Sequence, residues 1–333
     1  MKIKWIKKMM VPVLAMLFVY YSQNLTQNDE PVNTVTSINN LPAPVFSEIS
    51  LDTHHIVYGQ HLSDYLVRTV AEVNPEISWI HSVFEALSSR QDRLSPLVSS
   101  LLSPEAEIIS YEIENGDVTL NLNREFLDYT MCTERQLLSS LVWSLTEHED
   151  ISRVFFKIEG ERVNNLNTAL YVGSGLTRSM GINVEMETVS MNNQNILLYF
   201  LTGDTVYDYL IPVTRVVDAA YDPFIYVISA LTAGARGERY ISVFSHTARL
   251  LEAPLLTDNI MTLNFDSGLF FDTRQTKVSA AAMKQLIMSL TEFEEVESVS
   301  VLIDGSSRIF DNQSRPIAVP ASRSFIDPFT SAH

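Results

Sequence analysis

Apolar residues recur along this chain with two different periods. Leu138, Leu141, Val142 and Leu145 are spaced i, i+3, i+4, i+7, and so are Met283, Leu286, Ile287 and Leu290. Each set is the stripe of an amphipathic helix. Thr133 or Glu134 can open the first helix, and Ser279 can cap the second. After each helix the period drops to two. Val154, Phe156 and Ile158 alternate with Arg153, Phe155 and Lys157, and Val299, Val301 and Ile303 repeat the pattern. Strict alternation predicts a strand. Before the helices, Val118, Leu120 and Leu122 alternate with polar residues, mirrored by Met261, Leu263 and Phe265. Residues 108–114, Asn115-Gly116 and 117–123 predict a hairpin closed by a tight turn. Earlier strands are predicted over 56–58, 66–73, 197–201 and 210–217, and helices over 77–89 and 224–233. The order is strand, strand, helix, strand, strand, helix, strand, twice over. Strands in consecutive pairs argue against simple βαβ winding and for a mixed sheet with its helices on one face.

The two series are copies of one another. Val142–Gly160 reads VWSLTEHEDISRVFFKIEG and Ile287–Gly305 reads IMSLTEFEEVESVSVLIDG, identical at 8 of 19 positions with an offset of 287 − 142 = 145. Thr119-Leu120-Asn121 matches Thr262-Leu263-Asn264 at 143, Tyr65-Leu66 matches Tyr209-Leu210 at 144, and Arg178-Ser179 matches Arg323-Ser324 at 145. Order and spacing hold over more than a hundred residues, the signature of a duplicated unit. The expected fold class is α+β: two tandem repeats of one small domain, each a mixed three-to-five-stranded sheet with two helices packed on one face. The expected division is 1–21 signal-anchor, 22–50 flexible tether, 51–185 first domain and 186–330 second domain. The stretch 170–190, bracketed by Asn-rich segments, is read as a strand pair or an extension packed on the first copy.

Several of these segments together resemble the GerM (GerMN) domain family of spore-forming bacteria, in its tandem arrangement. They are Tyr209-Leu-Ile-Pro-Val-Thr-Arg215, the Ala-Leu pairs at 86–87 and 230–231, the Thr-Leu-Asn strands, the Ser-Leu-Thr-Glu helix ends and the strand ends at Gly160 and Gly305. The resemblance covers roughly residues 54–330. The first copy departs from it, since Leu66–Ala71 lacks the Pro-Val-Thr-Arg of the second, and no lipoprotein cysteine follows the apolar N-terminal run. The resemblance implies a non-enzymatic protein of the cell envelope in spore formation or germination. By analogy with ring-building modules, it would act as an assembly or scaffold factor through protein–protein contacts. The implied partners are envelope or septal membrane proteins of the sporulation machinery. A wall protein that binds or hydrolyses peptidoglycan is the alternative.

Composition and charge narrow this further. Hydrophobic residues are 46% and charged residues 19% of the 333, as in an ordinary globular protein. A single cysteine, Cys132, excludes an internal disulfide framework and a cysteine-based zinc site. Net charge is −17, and four of the lysines lie in the first eight residues, leaving 19 − 40 = −21 on the remainder. Such a body is unsuited to nucleic-acid phosphate. Those lysines precede thirteen apolar residues, Met9–Tyr21, with no small-x-small cleavage site. An uncleaved signal-anchor is expected, with the body held on the extracytoplasmic side of the cell membrane by the Asn/Thr/Pro-rich tether.

Candidate chemistry is sparse, and no catalytic, cofactor-binding or metal-ligating residue is assigned. His54, His55 and His61 cluster near Asp52 and Asp64, but their spacing fits no compact metal motif, and exposed loop histidines are the plainer reading. Glu147 and Glu149, like Glu292, Glu294 and Glu295, recur between copies. They read as paired carboxylates for glycan hydrolysis or, more simply, as solvated helix ends. Arg178 and Arg323 recur in Thr/Ser-Arg-Ser settings, as an anion contact or as a tie from each domain's terminal segment to its own sheet. Gly173-Ser174-Gly175 is not a nucleophile elbow. Cys132 is unmatched in the second copy and reads as a buried or idle thiol.

Overall fold

The computed structural model describes residues 54–323, apart from 89–93, 95–96, 130–132, 169, 188–190, 204–207, 237–238 and 272–275. The signal-anchor, the tether and Cys132 lie outside the described residues. Residues 49–333 form one compact unit.

The strands are β1 (His54–His61), β2 (Leu66–Glu72), β3 (Val98–Ser99), β4 (Ile108–Glu114), β5 (Asp117–Leu122), β6 (Arg153–Ile158), β7 (Glu161–Arg162), β8 (Glu185–Met186), β9 (Asn193–Leu201), β10 (Leu210–Asp218), β11 (Leu255–Thr257), β12 (Ile260–Phe265), β13 (Lys277–Val278), β14 (Ser298–Ile303), β15 (Phe310–Asp311) and β16 (Ala321–Ser322). The helices are α1 (Trp79–Leu87), α2 (Glu134–Leu145), α3 (Pro223–Ala233) and α4 (Ala280–Leu290). The α+β class and the repeated element order stand as expected. Thr133 caps α2 with a reciprocal bond to Gln136, and Ser279 caps α4.

Each repeat contains a four-stranded mixed sheet, β4-β5-β6-β7 in the first and β11-β12-β14-β16 in the second. The central pairs β5–β6 and β12–β14 run parallel, with α2 and α4 as their crossovers. One βαβ step is thus present in each half, embedded between antiparallel edges. The strand burial alternates as the sequence period demands: Val118, Leu120 and Leu122 are buried, and so are Met261, Leu263 and Phe265. The turns are tight and left-handed. Asn115-Gly116 has φ of 51° and 85°, and Glu159-Gly160 and Asp304-Gly305 repeat the same geometry. Asn121 and Asn264, from the Thr-Leu-Asn strands, accept the backbone N–H of Gly160 at 2.7 Å and of Gly305 at 3.0 Å. The recurrent asparagine therefore pins the recurrent glycine.

The hairpins β1–β2 and β9–β10 behave differently. They leave their own mixed sheets and meet each other in a six-stranded sheet, with Leu210 opposite Arg68. Pro212 offers no N–H to continue that ladder. Asn183 fills the gap. Its side chain accepts from Leu66 N at 2.9 Å and donates to Leu66 O and Pro212 O, each at 2.7 Å. The stretch 170–190 is not an extension of the first copy alone. Leu176 bridges Val154 in repeat one, and residues 182–187 then run along β10, with β8 parallel to it.

Candidate functional site

The Ser-Leu-Thr-Glu helix ends gather the recurrent polar residues into two equivalent clusters. In repeat one, the Ser144 hydroxyl accepts from Tyr58 N at 2.9 Å, and Ser140 donates to Tyr58 O. In repeat two, Ser289 accepts from Tyr199 N at 2.9 Å, and Gln285 donates to Tyr199 O at 3.2 Å. Small polar side chains on α2 and α4 thereby satisfy backbone groups of β1 and β9. Leu145 and Leu290 enter the cores. Thr146 and Thr291 donate to the carbonyls of Val142 and Ile287, each at 2.8 Å, and end the helices. One residue further on, the glutamates receive the tyrosine hydroxyls: Tyr58 to Glu147 at 2.6 Å and Tyr199 to Glu292 at 2.7 Å.

The recurrent arginines close both clusters. Arg178 donates to Glu147 at 2.7 Å, to Thr146 Oγ1 at 2.8 Å and to Trp143 O at 3.3 Å, and its guanidinium lies 4.8 Å from the Trp143 ring centre. Arg323 pairs with Glu292, donates to Met288 O at 3.3 Å and lies 5.6 Å from the Tyr199 ring centre. The solvated-end reading therefore fails for Glu147 and Glu292, whose side chains are 21% and 16% exposed. It describes Glu149, Glu294 and Glu295, which are exposed. The reading of the arginines as ties of each terminal segment to its own domain is realised, with the anchor being a helix end rather than a sheet.

The two clusters stand close enough to act on each other. Burial alone would raise the Glu147 pKa, but Arg178 first, then Arg68, the Tyr58 hydroxyl and Arg323 from the other repeat, hold it down to about 2. Burial likewise opposes ionisation of Glu292, and Arg323, then Arg178 and Tyr199, lower its pKa. Burial opposes the charge of Arg178, yet Glu147 foremost, with Tyr58 and Glu292 behind it, raises its pKa. Burial, reinforced by Glu147, pushes the Tyr58 phenol well up. Carboxylates held ionised in this way are poor general acids, because glycoside hydrolysis needs one carboxyl to keep its proton near neutral pH. The arrangement suits an electrostatic tie.

A second polar cluster, around β10 and the linking segment, has no counterpart among the described residues of the first repeat. Arg215, which is 2% exposed, pairs with Glu185 at 2.9 Å and lies 5.3 Å from the Phe200 ring centre. Tyr240 donates to Glu185, and Tyr226 and Arg236 donate to Glu187. Arg215 belongs to the Pro-Val-Thr-Arg segment, and its equivalent by the 144-residue offset is Ala71. The departure of copy one from the family pattern is therefore the absence of a partner for this linking segment.

The histidines do not form loops. All three lie on β1, His61 is buried beside Tyr209 and Ser63, and burial with neighbouring His148 lowers the His55 pKa. His55 and His61 are six residues apart on one strand, about 20 Å. Among the described residues, no three His, Cys, Asp or Glu side chains converge as a metal site, and no helix is long and apolar enough to cross a membrane.

Comparison with known proteins gives a consistent result. The family described as Germane, sporulation and spore germination, matches residues 59–164 and 197–308, together more than half of the chain. The spore germination protein GerM of Bacillus subtilis (strain 168) is 26% identical over 219 residues, spanning 63% of this chain and 59% of that relative's length. The solved structure of the tandem GerMN domains of the sporulation protein GerM from Bacillus subtilis superposes with a TM-score of 0.74 at 22% identity, covering 81% of this chain and 97% of that one. That likeness establishes a shared tandem fold.

Proposed function

The chain belongs to the Germane family of sporulation and spore germination, and from that membership we propose that it is a non-enzymatic assembly factor of the envelope of the developing or germinating spore. One observation carries this reading. The most strongly recurrent polar residues, Tyr58–Glu147–Arg178 and Tyr199–Glu292–Arg323, satisfy one another inside each repeat, as structural ties and not as a reactive site. What the repeats present outward is sheet edges and helix faces, the surfaces by which small αβ modules associate. The N-terminal segment 1–21 would anchor it to the cell membrane, with the tether holding the body on the extracytoplasmic side.

Two experiments test the proposal. Deletion of the gene in a spore-forming host should reduce heat-resistant spores or their return to growth; normal values for both would sink it. Crosslinking in sporulating cells and recovery of the full chain should bring down envelope or septal membrane proteins. Recovery of wall fragments alone would transfer the weight to peptidoglycan binding.

A further inference from the structure

We propose that the β4 edge of the first repeat is a strand-addition site for a partner's extended segment in which basic and apolar residues alternate. This rests on the assembly reading above and names the surface and partner chemistry it lacks. β4 is a seven-residue edge strand, and among the described residues it pairs with β5 alone. Alternate N–H and C=O groups on its other side thus form an open ladder. A register shift at Ile109 interrupts the strand, leaving Ser110–Glu114 as the regular stretch. The second repeat offers less at the same edge. Its β11 has three residues and is preceded by Pro254, which has no N–H to give.

Side chains along β4 state what an added strand must look like. Tyr111 and Ile113 lie opposite Leu120 and Val118 on the core face, and Ile113 remains 45% exposed. Glu112 and Glu114 project from the other face. Between Arg93 and Arg124 the chain has no Lys or Arg but contains Glu105, Glu107, Glu112, Glu114 and Asp117. Glu112 is 77% exposed even with Lys157 at 3.8 Å. A second copy adding at this edge would bring its own glutamates against these, an unfavourable like-charge arrangement. A segment reading Lys/Arg–apolar–Lys/Arg–apolar instead sets cations beside Glu112 and Glu114 and apolar groups beside Ile113. The −21 charge of the chain beyond its first eight residues would also steer a basic partner toward it.

The test is amide hydrogen exchange of the full chain in detergent, with and without an eight-residue peptide alternating Lys and Val. Exchange at residues 110–114 should slow with that peptide and not with its Glu–Val counterpart. The Glu112→Lys/Glu114→Lys variant, altered only at exposed surface, should bind the basic peptide about tenfold more weakly, equivalent to about 1.4 kcal/mol. Unchanged exchange with the basic peptide, equal slowing by both peptides, or slowing that grows with protein concentration alone would each overturn the proposal. The same variant separates this site from the assembly reading. If it recovers its crosslinked partners undiminished, assembly stands and the β4 site does not.

Discussion

The two repeats agree where each builds itself and differ where they meet. Tyr58, Ser144, Glu147 and Arg178 correspond to Tyr199, Ser289, Glu292 and Arg323, and both sets make the same bonds. Asn183 and Arg215 align with Pro328 and Ala71, which cannot make their bonds, and with the segment 182–187 they join one half to the other. Duplication thus accounts for the interior of each half. The junction needed residues that only one copy carries.

The largest test of this division is removal of an arginine. Arg178→Ala and Arg323→Ala each leave a partly buried glutamate without its cation, and each should lower stability by about 3 kcal/mol. Urea denaturation would check this, and very unequal losses would break the equivalence of the clusters. Asn183→Ala should cost less, about 2 kcal/mol, because it strips partners from backbone groups of Leu66 and Pro212. Its distinguishing sign is faster amide exchange at the β2–β10 contact, with α2 and α4 unaffected.

Acid offers a finer comparison. Glu147 has its folded pKa depressed from 4.5 to about 2. Its contribution is therefore fully present above pH about 4.5 and is lost as pH falls toward 2. Stability measured from pH 7 to 2 should begin to fall below about pH 4.5, and Glu147→Gln should flatten that decline. Turn glycines give the smallest effect. Gly160→Ala and Gly305→Ala place a methyl in open space at φ of 84° and 77°, so each should cost only the backbone strain, about 1 kcal/mol, equally in both repeats. Thermal melts of the two variants would reveal any inequality.

Much of this architecture was legible in the sequence because its signals are local. Period, caps and the Asn-Gly turn locate the helices, the hairpin and the strands of both copies within a few residues. The offset of 145 also paired Glu147 with Glu292 and Arg178 with Arg323, though not glutamate with arginine. That pairing spans 178 − 147 = 31 residues and depends on how the chain returns, which no period records. The hairpins' meeting in one sheet was hidden for the same reason: the ladder between β2 and β10 is one residue pair across 142 positions, Arg68 and Leu210. The exposed-histidine reading failed because His61 sits at the inner end of a strand whose polar residues interrupt an otherwise ordinary alternation. One further clue was available. Arg215 against Ala71 broke the repeat, and a charged residue present in only one of two copies points to the surface between them.

The interval from glutamate to arginine is the same in both halves, 178 − 147 and 323 − 292 both giving 31 residues. In each, the last piece of the domain to be synthesised carries the cation that the earlier helix end requires. The first half therefore lacks its closing cation until Arg178, and the next few residues, Ile182 to Glu187, run along β10 of the second half. In chain order, the closing cation of the first half is thus followed at once by the strip that pairs with β10 of the second.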